Sequence, residues 1–310
     1  MELLYWFESI RTPFLDAVMS LVTRLGEETL FLLAALLVFW CWDKRRGYYL
    51  LTVGFVGTLI NQWLKIVCRV PRPWIRDPNF TIVESARSAA AGYSFPSGHT
   101  QCAVGYLGGI ARFVHSWWVR VVCVVALLLV AVSRMYLGVH TPADVGVSLV
   151  VGTLLVFAVY PLVESTLWFP NRMYAIIGGM LALSLAFVGF VELYPFPADV
   201  DGANLAAAVK NAYTLAGAVV GVLVAYFVDS RWIHFSTRAP WWGQIVKLVG
   251  GVAAVLAVRI LLKAPLASLF GGHNLADAVR YFAVVVTAGC LWPLTFRFFA
   301  RRGVEEKVDQ

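Results

Sequence analysis

Nine stretches of about twenty residues, each dominated by Val, Leu, Ala, Phe and Trp and bounded by charges, Pro or Gly, run through this chain of 310 residues. Coiled as an α-helix, a stretch of that length matches the hydrocarbon core of a bilayer, whereas a water-soluble fold has no place to bury nine of them. They fall near 26–42, 47–68, 98–114, 117–138, 142–163, 173–193, 211–229, 242–263 and 278–299. The reading is therefore an all-α fold, a polytopic transmembrane helical bundle of about nine spans. With 60% hydrophobic and only 14% charged residues, and a mean hydropathy of +0.75, the composition excludes both a disordered chain and an ordinary soluble domain. Five cysteines are too few for a disulfide scaffold.

The opening MELLYWFESIRTPFLDAV carries acids where a signal peptide would carry basic residues. It is expected to stay in the mature protein, with residues 1–25 as an amphipathic interfacial segment. The net charge of +7 does not form a stripe or a tail, so no nucleic-acid partner is expected. Threading nine spans puts thirteen basic and six acidic residues on the side that carries the C-terminus, while the opposite side balances to zero. The positive-inside rule then makes the C-terminal side cytoplasmic.

Three separated segments bring basic and imidazole groups to span ends on the other side. They are Lys65-IVCRVP-Arg72-Pro73, Pro96-Ser97-Gly98-His99 and Ser133-Arg134-MYLGV-His140-TPA-Asp144. Lys65, Arg72 and Arg134 supply three cations, and a helix starting after Ser97 supplies outward N–H groups and a partial positive charge. Gly98 lets an anion approach the backbone. Together these groups describe a phosphate site. His140 with Asp144 pairs an imidazole with an orienting carboxylate, and a protonated His99 can donate to a leaving oxygen. Taken singly, the same residues have structural uses. Thr141-Pro142-Ala143-Asp144 reads as a capping box, Ser97 as an N-cap, and the cations as interfacial anchors. Jointly, three cations, two His and one Asp are too costly near hydrocarbon to be kept without a role.

The pattern Lys-x6-Arg-Pro, Pro-Ser-Gly-His, Ser-Arg-x5-His-x3-Asp resembles the three-part signature of the type 2 phosphatidic acid phosphatase superfamily, which includes lipid phosphate phosphatases, glucose-6-phosphatase and vanadium haloperoxidases. The resemblance covers about residues 47–163, and every signature position is filled. It implies His140 as the nucleophile that forms a phosphohistidine, Asp144 as its partner and His99 as the general acid. Lys65, Arg72, Ser97, Gly98 and Arg134 would bind the phosphoryl oxygens, with no metal and no cofactor. Together with the spans and their charge balance, the reading is a catalytic membrane core at 26–193, additional transmembrane helices of unknown role at 194–299 and a cytoplasmic tail at 300–310.

A pocket at the membrane surface favours a phosphorylated lipid as substrate, with membrane lipids as the surroundings and a homo-oligomer left open. The candidates are a polyprenyl diphosphate, phosphatidic acid, phosphatidylglycerol phosphate and a phosphorylated sphingoid base. The nine-span layout resembles the longer members of the superfamily, so a soluble sugar phosphate stays open. So does a transporter or scramblase in which the cations line a path for anionic headgroups. The expected location is a bacterial-type plasma membrane, with the site facing outside. Arg259, Lys263, His273, Asn274, Asp277 and Arg280 either touch a headgroup or serve as anchors and a helix cap. Asn61, Gln62 and Gln101 are candidate supports of the motif residues.

Overall fold

The computed structural model describes residues 1–300, with side chains up to Phe298. The tail expected at 300–310 lies outside the described residues apart from Ala300. So do Arg301, Arg302, Glu305, Glu306, Lys307 and Asp309, which entered the charge balance. Among the described residues the chain is all helix and loop, with no strand.

Helix occurs at all nine expected places, yet among the described residues seven helices are long and apolar enough to cross a bilayer, or eight if one bent pair counts as a span. That pair, Pro13–Gly26 and Glu28–Trp42, bends by 49°. It begins upstream of the expected first span. The stretch expected at 98–114 is a shorter helical run, Gly98–Ala103 and Gly109–Phe113 joined by a π turn at Val104–Gly108. Nine is therefore an approximate count.

Apolar residues do not set which way these helices face, because lipid tails are as apolar as a protein core. On Trp117–Tyr136 the exposed face is Val121, Val122, Val125, Leu128 and Leu129, while Cys123, Leu127, Val130, Ala131 and Arg134 are buried. The polar end decides the orientation, since Ser133 and Arg134 cannot face hydrocarbon without a large penalty. Trp117, Trp118 and Trp241 are exposed near helix starts, as aromatic-belt residues are.

Two compact units divide the chain, and they do not follow chain order. One holds residues 1–34, 49–164 and 195–208; the other holds 35–48, 165–194 and the chain from Val209. In the first unit, Gly98–Ala103 packs against both Trp117–Tyr136 and Pro142–Glu164, the helices that carry the rest of the motif. The N-terminal helices Glu2–Ser9 and Pro13–Val22 pack on Trp117–Tyr136 as well, and Phe7 joins Tyr136, Leu137 and Val139 in one buried cluster.

In the second unit, helix Gly202–Val228 meets Leu275–Val286 through Gly217-Ala-Val-Val-Gly221. A Cβ at Gly217 would lie 2.0 Å from the Ala278 carbonyl oxygen. Small residues at four-residue spacing permit such backbone approach. Gly217→Val is expected to destabilise the protein by at least about 1–3 kcal/mol through overpacking, read as a lowered unfolding midpoint in detergent. An unchanged midpoint would contradict this contact.

The polar cluster of the last third proves to be a helix start. Asn274 is the N-cap of Leu275–Val286, His273 Nδ1 accepts from the Leu275 N–H at 3.1 Å, and Arg280 pairs with Asp277.

Candidate active site

Each motif segment is placed by its own local chemistry. Lys65 stands in the last turn of Lys44–Cys68, which ends at Arg69 with a left-handed φ of 49°. Arg72 precedes Pro73, so steric conflict with the proline ring bars it from the α region and leaves it extended, with ψ 154°. Its side chain can then reach across to the 89–95 loop. Ser97 caps Gly98–Ala103, its Oγ accepting from the Thr100 hydroxyl at 3.0 Å and more distantly from the Thr100 N–H at 3.4 Å. Between Arg134 and His140 the chain turns at Gly138, whose φ of 80° suits glycine; a Cβ there would also strike Arg11 and Phe80.

A line of contacts joins the three segments. Arg72 Nη1 donates to the Val139 carbonyl at 2.9 Å and lies 3.0 Å from His140 Nε2. Its Nε and Nη2 donate to the carbonyls of Gly92 and Ala91 at 3.0 and 2.8 Å. Because a guanidinium only donates, Nε2 is an acceptor here and the ring proton belongs on Nδ1. That nitrogen faces Asp144 Oδ2 at 3.5 Å, which is longer than a hydrogen bond, and it has no hydrogen-bond partner.

Asp144 makes the capping contacts read from the sequence and also lies near His140. Its Oδ2 accepts from the Thr141 N–H at 2.7 Å and its own N–H reaches Thr141 Oγ1 at 3.3 Å, which is the capping box; it also faces His140. The Ser97 N–H donates to the Asp144 carbonyl at 3.1 Å, and Ser148 Oγ donates to the Ser97 and Asp144 carbonyls at 2.9 and 3.0 Å. These bonds tie together the helix starts that carry His99 and Asp144. Lys65 Nζ donates to the Tyr93 carbonyl at 2.6 Å. Arg134 is fully buried; Nη1 donates to Thr23 Oγ1 at 2.8 Å, while Nε and Nη2 have no partner.

All eight candidate residues thus sit in one unit, linked through short contacts or chain adjacency. Three cations and one carboxylate belong to these segments, so the cluster carries excess positive charge, and Arg134 keeps two donors open. Cationic donors in excess suit an anion with several oxygens.

Some supports escaped the sequence reading. Ser94 donates to Asp144 Oδ2 at 2.6 Å, although only its closeness to Pro96-Ser97-Gly98-His99 hinted at it. Thr23 and Arg11 lie more than a hundred residues from their partners; Arg11 Nε and Nη2 donate to the Tyr136 carbonyl at 3.2 and 3.0 Å. No local pattern marks them. Of the expected supports, Asn61 Nδ2 makes a long contact to the Pro96 carbonyl at 3.4 Å, and Gln101 is buried with its amide nitrogen unpartnered.

Burial, reinforced by the positive charges of Arg72 and Arg134, holds His140 well below the ordinary histidine range. The neutral, nucleophilic ring is then the resting form at neutral pH. The acid limb of kcat/KM due to His140 is expected below about 6.5, the ordinary histidine value, in a pH–rate profile. A limb at or above that value would contradict the environment described. The folded protein also declines a proton that the unfolded chain takes up below about 6.5, so this group makes stability fall as pH drops through that point.

Residues 45–168 match the family model described as PAP2 superfamily, and residues 213–303 match that described as PAP2 superfamily phosphatase, transmembrane extension. Phosphatidylglycerophosphatase B of Bacillus subtilis is 32% identical over 169 residues, covering 48% of this chain and 76% of that protein. Undecaprenyl-diphosphatase BcrC of the same organism is 31% identical over 145 residues, 46% of this chain and 72% of the relative. A probable sphingosine-1-phosphate phosphatase of Dictyostelium discoideum is 28% identical over 222 residues, 64% of this chain and 53% of that one. No solved structure matches the chain.

Proposed function

This chain belongs to the PAP2 superfamily, and on that footing we propose that it is a multi-pass membrane phosphatase that hydrolyses phosphorylated lipids through a histidine-bound phosphoryl group. The observation that carries the site assignment is the setting of His140: Nε2 lies 3.0 Å from Arg72 among three cations, with Nδ1 turned towards Asp144.

In the proposed reaction, His140 Nε2 attacks phosphorus and the ester P–O bond breaks. The electron pair stays on the leaving oxygen, which takes a proton from His99. Water then attacks the phosphohistidine, gives its proton to His99, and releases phosphate and free His140. Asp144 keeps the proton on Nδ1 and stabilises the ring as it becomes cationic, a contact expected to tighten from 3.5 Å when substrate binds. Lys65, Arg72, Arg134 and the N–H groups beginning at Gly98 hold the charge of the equatorial oxygens. Burial and the charges of Arg134, Arg72 and Lys65 hold His99 down at about 3 without substrate, so its role as acid requires the bound phosphate to offset those charges.

Within this reading residues 26–193 act as the catalytic core, 194–299 as additional spans and 1–25 as an interfacial segment. The site is assigned to the non-cytoplasmic face on the charge balance of the loops in the nine-span threading, and the likeness to the Bacillus subtilis relatives supports a bacterial-type plasma membrane. Asp199→Cys should then react with a membrane-impermeant thiol reagent in intact cells; protection until lysis would reverse the orientation.

The deciding experiment measures free phosphate released by the purified protein in detergent, with EDTA present. The panel is phosphatidic acid, phosphatidylglycerol phosphate, sphingosine 1-phosphate, undecaprenyl diphosphate and glucose 6-phosphate. Turnover of one or more lipids supports the reading. Turnover of glucose 6-phosphate alone would make the substrate a soluble sugar phosphate, and silence across the panel would overturn the proposal.

A further inference from the structure

Residues 1–44 lie outside both matched family regions, yet one turn of this stretch touches two of the proposed site residues directly. Thr23–Gly26 continues Pro13–Val22 as a 3₁₀ turn, and Glu27, extended at φ −72° and ψ 141°, breaks the helix before Glu28. Such a break leaves carbonyls without helical partners, and that of Leu25 accepts from the Tyr106 hydroxyl at 2.6 Å. The turn packs against both Gly98–Ala103 and Trp117–Tyr136, the helices that carry His99 and Arg134. On one flank Thr23, itself buried, accepts from Arg134 Nη1 at 2.8 Å. On the other, Gly26 lies on the main chain of His99. A Cβ at Gly26 would stand 2.8 Å from the His99 carbonyl oxygen and 2.9 Å from its Cβ, well inside the roughly 3.5 Å at which non-bonded atoms pack best. Gly26 and His99 also line one cavity of about 270 Å³.

We infer that the Thr23–Gly26 turn is a positioning element of the reaction, in which Thr23 orients the guanidinium of Arg134 towards the phosphoryl oxygens and Gly26 sets the place of His99. The inference rests on the roles proposed above for Arg134 and His99. A guanidinium presents its donors in a planar fork. With Nη1 taken by Thr23, the two donors without a partner are Nε and Nη2, which form one edge of that fork. Two parallel N–H groups on one edge match two oxygens of a phosphoryl group. Without the Thr23 hydroxyl, the buried Nη1 donor is unpaired, and a rotation that relieves this turns the free edge away. For His99 the argument is one of distance, because a proton donor must come within about 2.6–3.2 Å of the leaving oxygen. A side chain at Gly26 has to push the turn or the start of Gly98–Ala103 aside, and a misplacement of about 1 Å can cost about 10²-fold in rate.

The test compares the wild type with Thr23→Val, which keeps the shape and loses the hydroxyl, Thr23→Ser, which keeps the hydroxyl, and Gly26→Ala, all purified in detergent. Two readouts are used, and neither depends on how much of a preparation is folded. One is the vanadate concentration that halves turnover at substrate well below KM. The other is the ratio of kcat/KM for the lipid that the wild type hydrolyses to kcat/KM for an aryl phosphate, whose phenolate leaves without a proton. Thr23→Val is expected to raise the vanadate concentration by about tenfold or more, and Thr23→Ser to stay within about threefold of the wild type. Gly26→Ala is expected to lower the lipid-to-aryl ratio by about tenfold or more while its vanadate concentration stays within about threefold. If Thr23→Val does not fold, Thr23→Ala makes the same comparison. If Gly26→Ala does not fold, Gly26→Ala with Val130→Ala gives the new methyl room on its Val130 side and keeps the approach to His99. An unchanged vanadate concentration in Thr23→Val, or a rise that Thr23→Ser shares, would overturn the inference while lipid turnover by the wild type keeps the phosphatase reading intact. An unchanged ratio in Gly26→Ala would overturn its His99 half. A wild type silent on every lipid of the panel would remove the phosphatase reading and this inference with it.

Discussion

His140→Ala is expected to lose at least about 10⁴-fold in kcat towards every substrate, because it deletes the attacking atom rather than a contact that assists it. The size of the loss is not enough to assign the role, since a misfolded site would give the same result. Leaving-group chemistry separates the two histidines. A nucleophile is needed whatever departs, whereas a general acid matters only when the departing oxygen is a poor leaving group. With an aryl phosphate whose phenolate leaves without protonation, His99→Ala should recover most of the first step, read as a burst of phenolate followed by slow hydrolysis of the phosphohistidine, and His140→Ala should show no burst. Rapid acid-free quenching of labelled substrate should also trap a base-stable, acid-labile phosphoenzyme in the wild type and none in His140→Ala. Recovery of His140→Ala on the aryl substrate would exclude His140 as the nucleophile.

Arg134→Met carries the second large effect, and here stability and activity should move in opposite directions. Arg134 is fully buried, with one donor on Thr23 and two donors unpartnered, near two other cations. Without an anion this charge is poorly compensated, and exchanging a buried ion for an apolar side chain of similar reach is often neutral or stabilising. The unfolding midpoint of Arg134→Met is therefore expected at or above that of the wild type in phosphate-free buffer. Its kcat/KM should fall by about 10²–10³-fold, the usual loss for a donor that stabilises transition-state charge. Vanadate, which imitates the transferring phosphoryl group, should raise the wild-type midpoint; at about 100 times its Kd a ligand adds about 2.7 kcal/mol. That rise should shrink sharply in Arg134→Met, and Arg134→Lys should not restore it, because an ammonium lacks the planar donor fork. A full vanadate response in Arg134→Met would show that this arginine does not touch the anion.

The site was legible in the sequence to an uneven degree. Lys65, Arg72, His99, Arg134, His140 and Asp144 stand out because ionisable groups at the ends of apolar helices need a reason to be there. Their spacing also matched a known signature. The capping use of Asp144 and its proposed use towards His140 looked like alternatives in the sequence; the carboxylate oxygen that accepts from the Thr141 N–H also lies 3.5 Å from His140 Nδ1. Ser94, Thr23 and Arg11 were missed because a hydroxyl or a guanidinium has no pattern of its own. What gives each of them meaning is a partner fifty, 111 and 125 residues away.

Periodicity, so useful in soluble helices, carries little here. When both the lipid face and the packed face are apolar, no stripe distinguishes them, and Val121 and Val130 look equivalent until the structure exposes one and buries the other. Length and hydropathy fixed that the chain is a bundle of membrane helices, because an unpaired backbone in hydrocarbon leaves helix as the available form. Charge at the span ends marked the residues of the proposed phosphate site. The number of helices long enough to cross depended on bends and breaks, at Glu27 and at the π turn of Val104–Gly108, that composition does not reveal. The setting of His140, with Arg72 on one ring nitrogen and Asp144 facing the other, depended on packing between segments far apart in the chain, as did the cavity beside His99. Local sequence sets which groups must avoid lipid, and only the tertiary fold decides which of them meet.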